Sequence, residues 1–99
     1  MVGFRLHPEA EAEAMAEAGW IRADDPIQGE LFVQALESAI LHARRDPTRY
    51  RCFDGEFRKL RVGKFRHSLV YRYIDGEIQI LAVAHMNRRP GYWKDRTEG

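Results

Sequence analysis

The sequence predicts an α+β fold. A helical hairpin packs on one face of a small, mainly antiparallel four-stranded sheet, in the order β-αα-βββ and as a single domain over residues 1–99. Three observations lead there. An Ala/Glu-rich stretch after Pro8 has helix composition, Asp25-Pro26-Ile27-Gln28 opens a second helix, and the last forty residues hold three strand-like runs separated by Gly63-Lys64 and Asp75-Gly76.

Val2 to Leu6 is a short strand stopped by Pro8, which suits the first turn of a helix because its missing N–H costs nothing there. The following EAEAEAMAEA alternates with period 2, a strand pattern. Ala and Glu are poor strand formers and good helix formers, so propensity decides for a helix ending between Gly19 and Ala23. Ala10, Ala14 and Ala18 make a small-residue stripe that lets another helix approach closely. In the second helix Asp25 is the N-cap, Pro26 is N1 and Gln28 is N3, a capping-box arrangement. Leu31, Ala35, Leu36, Ala39, Ile40 and Ala43 then share one face. Arg44 and Arg45 suit the negative end of that helix, and Pro47 closes it. A loop carrying Tyr50, Cys52 and Phe53 leads to the sheet.

Counting outward from Asp75-Gly76 pairs Tyr73 with Ile78, Tyr71 with Ile80 and Leu69 with Ala82. With Leu60, these form the face expected under the helices; Trp20, Phe32, Tyr71 and Tyr73 read as core aromatics. The opposite face receives Lys59, Arg61, Arg66, Ser68, Arg72, Gln79 and His85, together with Phe57, Val70, Leu81 and Val83. A mixed apolar and basic face expects a cover, either the C-terminal tail or a partner chain.

Net charge is +1, but the halves differ: residues 1–48 hold 4 Lys/Arg and 9 Asp/Glu (−5), residues 49–99 hold 12 and 6 (+6). That split points to a polyanion or an acidic protein as partner of the C-terminal half. Cys52 stands alone, so no internal disulfide forms, and no apolar run or N-terminal signal suggests a membrane or export, which leads to a cytoplasmic expectation. His7, His42, His67 and His85 lie on separate elements without metal-ligand spacing, and no Gly-rich phosphate loop is present; neither metal nor cofactor is expected.

The basic cluster is the constellation left. Metal-free RNA cleavage needs a base for the 2′-OH, an acid for the leaving oxygen and positive charge for the phosphorane. Lys59, Arg61, Arg66 and Arg88 supply charge, His85 and Tyr92 are proton-transfer candidates, and Tyr92 or Trp93 can stack on a base. The plain alternative is that strand Lys and Arg serve solubility and edge protection.

RLHPEAEAEA, FVQALESAILHARRDPTRY, RKLRVGKFRHSLVYRYIDGEIQILAVAH and RRPGYW together resemble the RelE/ParE superfamily of toxins from bacterial type II toxin–antitoxin systems, over about residues 2–96. The resemblance implies a toxin neutralised by an acidic antitoxin. In the RelE-like branch, ribosome-dependent mRNA endonucleases, the implied catalytic positions fall on Lys59, Arg61 and Arg88; the middle-strand Arg position falls on Ser68 and the Tyr position on Lys94, near Tyr92. The ParE-like branch, which poisons DNA gyrase, is matched by the longer helical hairpin, the DPTRY helix exit and the His followed by Arg-Arg. It is the favoured reading, and it leans away from an enzyme. A partner surface is expected at Arg66, Val70, Arg72, Leu81, Val83, Arg89, Tyr92 and Trp93. A degenerate, non-toxic binding module is the third reading.

Overall fold

The computed structural model describes residues 1–97. Its elements run β1 (Gly3–Leu6), α1 (Pro8–Asp24), α2 (Pro26–Arg45), β2 (Cys52–Asp54), β3 (Phe57–Arg61), β4 (His67–Ile74) and β5 (Glu77–His85), with a short 3-10 turn at Lys94–Thr97. The strands form one sheet in the order β1-β5-β4-β3-β2, with β1 parallel to β5 and the other pairs antiparallel. The expected α+β architecture is present, with one strand more than expected. The added strand, β2, turns into β3 at Gly55-Glu56, where Gly55 has φ +60°. Asp54-Gly55 is the same kind of turn signal as Asp75-Gly76, but three residues are too few to show alternation.

Asp25 alone separates the two helices. Its amide closes α1 on the Ile21 carbonyl (2.8 Å) and its Oδ1 accepts the Ile27 and Gln28 amides (3.0 and 3.3 Å), which opens α2. With the Asp25 amide donating backwards, the Gln28 half of the capping box is not used. Ala10 and Ala18 are buried as the small-residue stripe requires, and α1 runs on to Asp24. On α2 the buried face is centred on Phe32, Ala39 and Ala43; Leu31 is 45% exposed. Gly29 sits where α2 crosses α1: a Cβ there would lie 2.7 Å from the Arg22 Cβ and 2.8 Å from its Cα. Gly29→Ala should therefore cost about 1–3 kcal/mol by overpacking, despite the better helix propensity of alanine. A raised thermal midpoint in that variant would contradict the close crossing.

The main core lies between the helices and the sheet, around Phe32, Val62, Leu69, Tyr71, Ile78 and Ile80. Of the aromatics expected there, Phe32 and Tyr71 are fully buried, whereas Trp20 is 77% and Tyr73 40% exposed. Tyr71 also donates to the Pro47 carbonyl at 2.7 Å, tying the exit of α2 to the middle of the sheet. Burial pushes this hydroxyl from its ordinary 10.0 up to about 12, against the opposing charge of Arg58. A raised folded-state value favours the protonated form, so its contribution is intact below pH 10 and lost as pH climbs toward 12. Chemical denaturation across that window should show falling stability, with a shallower fall in Tyr71→Phe.

The two hairpins are built differently. Asp75 and Gly76 both have positive φ (54° and 75°) and make the expected two-residue turn. Gly63-Lys64 does not: a longer Val62–Arg66 connection gives Arg61↔Ser68 and Lys59↔Val70, slipped by two residues, which leaves every face unchanged. In β5 the register shifts between Tyr71↔Ile80 and Val70↔Ala82, so Leu81 is an inserted bulge residue. Leu69 consequently opposes Val83 rather than Ala82. Val83 turns under the helices at 2% exposure, and Ala82 joins Leu81 on the other face. The expectation that Val83 belongs to the open face, and Ala82 to the helix side, is corrected by this one extra residue.

Candidate functional site

Strand alternation puts Lys59 and Arg61 of β3 on the side away from the helices, with Ser68, Val70 and Arg72 of β4. After β5 the chain turns, the Arg88 amide donating to the His85 carbonyl (3.0 Å), and its tail crosses that face. Trp93 anchors it. Its indole is 3% exposed, packs on Val70, Leu81 and Ala82, and meets the Phe57 and Phe53 rings at 4.7 and 5.8 Å. The cover that the mixed face requires is thus the chain's own tail. Val70 and Leu81, at 2% and 3% exposure, lie beneath it.

Between the tail and the sheet rim remains a cleft of about 210 Å³, lined by Lys59, Ser68, Val70, His85, Arg88, Arg89, Tyr92 and Trp93 among others. The Lys59 ammonium is 4.7 Å from the Phe53 ring centroid, and the Arg88 guanidinium 4.0 Å from that of Tyr92. Lys59, Arg66 and Arg89 are exposed and, among the described residues, make no ion pair.

Glu13 of α1 organises the tail. Its carboxylate accepts the Tyr92 hydroxyl (2.6 Å), the Arg96 guanidinium (3.0 and 3.2 Å) and the Val83 amide (3.1 Å), with Arg88 at 4.0 Å. Arg96 also reaches Glu9 (3.3 Å) and donates to the Leu81 carbonyl (2.9 Å). β1 stops pairing at Ile80, so Leu81 and Val83 lie on β5 beyond its neighbour. Glu13 and Arg96 supply the missing partners of that strand. Burial would lower the Arg96 pKa, but its hydrogen bonds to Glu13 and the charge there raise it. Tyr92 is raised by burial first and then by donating to Glu13, so its hydroxyl is held neutral and engaged.

The other expected site residues are placed as follows. Arg61 folds back on its own turn, donating to the Phe65 and Lys64 carbonyls (2.8 and 3.3 Å). Arg66 borders a smaller recess with Arg61, Ser68 and Met86. Arg72 is held by Glu56 (2.7 Å) and Gln79 (2.8 Å), and Lys94 by Asp54 (2.6 Å). His85, on the Val83 side of the bulge, meets the His67 ring edge-on at 4.9 Å; its Nδ1 accepts the Asn87 amide, which assigns its proton to Nε2. His67 is 6% exposed, with Nε2 at 3.0 Å from Glu17 and no partner for Nδ1. Read as a donor to Glu17 through Nε2, it leaves a bare acceptor unpaired. Two histidines expected to be separate are therefore neighbours. Among the described residues, no three His, Cys, Asp or Glu side chains are grouped to hold a metal ion.

This arrangement sets cationic side chains over aromatic rings at the rim of a cleft, chemistry that suits an anionic group such as a carboxylate or a phosphate. Of the two proton-transfer candidates, Tyr92 is engaged by Glu13. His85, expected on the open face, is turned by the Leu81 bulge to the helix-facing side opposite His67 and only borders the cleft at the strand end. Sequence reasoning missed Glu13, Glu17 and Arg96. A signal existed for the first two: they follow Ala10 and Ala14 by three residues, beside the buried stripe.

A protein-family model described as "ParE toxin of type II toxin-antitoxin system, parDE" matches residues 4–90, which include Lys59, Ser68, Arg88 and Arg89 and exclude Tyr92, Trp93 and Arg96. No curated protein matches the chain. Among the described residues, no helix is long and apolar enough to cross a membrane.

Proposed function

Because the chain belongs to the ParE toxin family of type II toxin–antitoxin systems, we propose that it arrests growth by poisoning DNA gyrase and is neutralised by a cognate antitoxin. Family membership carries the reading. The state of the cleft supports it over RNA cleavage: Ser68 offers no positive charge on the middle strand of the meander, the Arg61 guanidinium clamps its own turn, and the Tyr92 hydroxyl is engaged by Glu13. What remains is a recognition surface of Lys59, Arg66, Arg88 and Arg89 beside aromatic rings. An acidic antitoxin segment fits that surface by charge. Val70, Leu81 and Trp93, expected in that surface, are instead packed together under the tail.

Purified toxin assayed for gyrase supercoiling, alongside mRNA cleavage in a translating extract, tests the reading. Inhibited supercoiling with intact mRNA is expected. Cuts that require ribosomes would instead favour the endonuclease reading, for which Lys59 and Arg88 on one cleft are the supporting observation. The exposed Arg88 and Arg89 should matter more than Arg61. Arg88→Ala with Arg89→Ala should raise the half-inhibitory concentration about tenfold or more, as loss of charge-assisted hydrogen bonds predicts. Arg61→Ala should change it little. Equal toxicity of the well-folded double variant would remove this cleft from the mechanism.

A further inference from the structure

The core does not use Trp20. It stands 77% exposed on the last turns of α1, among the large apolar side chains left in water. It walls a cleft of about 440 Å³ at the corner of the helical hairpin, with Ile21 and Phe65 as apolar lining and Asp24, Asp25 and Gln28 as polar lining. Exposed tryptophans beside concave apolar surfaces are enriched among the anchors of protein interfaces.

The charge of this corner says what fits. Asp24 ends α1 and Asp25 caps the start of α2, so the negative end of one helix dipole and the positive end of the next meet here and offset, leaving the two carboxylates as the net charge of the corner. Asp24 has no ion pair among the described residues, so its carboxylate is free to meet a cation. Asp25 lends Oδ1 to the α2 cap and still adds negative charge. The lining holds two carboxylates and no Lys or Arg, so it repels phosphates and anionic lipid, whereas a guanidinium or ammonium gains from the carboxylates and from the indole face. None of the residues lining this corner lines the basic cleft.

We infer that the Trp20 corner is a second docking surface, which receives an arginine or lysine side chain carried on a partly apolar segment of a protein partner. The cation lies over the Trp20 ring against Asp24, and the neighbouring apolar side chain enters between Ile21 and Phe65. The molecule is thereby two-sided, with a basic cleft for acidic partners and an acidic aromatic corner for basic ones. The inference holds whether or not gyrase is the target.

The chain has two tryptophans, so indole N–H resonances give one reporter at the site and, in Trp93, one buried control. The probe is a capped Leu-Arg-Leu-Arg-Leu peptide, compared with its Leu-Gln-Leu-Gln-Leu analogue and with a short DNA duplex. The arginine peptide should shift the Trp20 resonance in a saturable way and leave Trp93 unmoved. Asp24→Asn, or added salt, should weaken that response severalfold. No response, or an equal response to the glutamine peptide, overturns the inference. A Trp20 shift produced by the duplex and not by the arginine peptide overturns it too, since the corner would then be an anion surface.

Discussion

Replacing Tyr71 with alanine should destabilise the fold by about 3–5 kcal/mol, the largest single-residue effect expected outside the tail. Its ring is fully buried at the centre of β4, between the helices and the β5 residues Ile78 and Ile80. Truncation leaves a cavity that neither a helix nor a hydrogen-bonded strand can collapse into, and it strips the Pro47 carbonyl of its donor. Tyr71→Phe separates the two contributions. It keeps the packing and should lose about 1 kcal/mol for the hydrogen bond alone. Urea unfolding measures both. A cost below ~1 kcal/mol for alanine would mean that the helix-facing side of the sheet is assigned wrongly.

Arg96→Ala should have the second largest effect, about 2–4 kcal/mol, because it breaks a largely buried ion pair and leaves partners unserved. The Arg96 side chain is 9% exposed, Glu13 is 14% exposed, and the Leu81 carbonyl would lose its side-chain donor. The damage should begin locally. Trp93 would leave the sheet, its emission would move to the red, and trypsin would cut faster at Arg88 and Lys94, the Arg89-Pro90 bond being resistant. Trp20 is already in water and contributes a constant background. Arg96→Lys should rescue only part, since one ammonium cannot serve the Glu13 carboxylate in fork geometry and the Leu81 carbonyl together. Unchanged emission and an unchanged unfolding midpoint would show that aromatic packing alone holds the tail.

How far the site was legible follows from the kind of interaction that builds it. Lys59, Arg61, Ser68, Val70 and Arg72 fall on one face by strand alternation, so their grouping could be counted from the turn. The two-residue slip at Val62–Arg66 left that grouping intact because side chains alternate with period 2. The single-residue bulge at Leu81 did not: it exchanged Ala82 and Val83 between faces and brought His85 beside His67. Leu81-Ala82-Val83-Ala84 is apolar throughout, so no alternation marks where the extra residue enters.

Local chemistry, then, was determined by the sequence alone. The Asp25 cap, the proline starts of both helices, the Asp75-Gly76 turn and the alanine stripe depend on neighbours a few residues away, and they point to the α+β order. The tertiary structure decided what depends on distant partners. Which glutamate of an Ala/Glu repeat turns inward was set by Arg96 and Tyr92, 83 and 79 residues along the chain. Whether the mixed sheet face stays open was set by Trp93 closing over it, and whether Trp20 is core or surface by which side of α1 the sheet occupies. Each is a competition between burial and solvation that only the packed chain can settle, because no local pattern contains both sides of the contact.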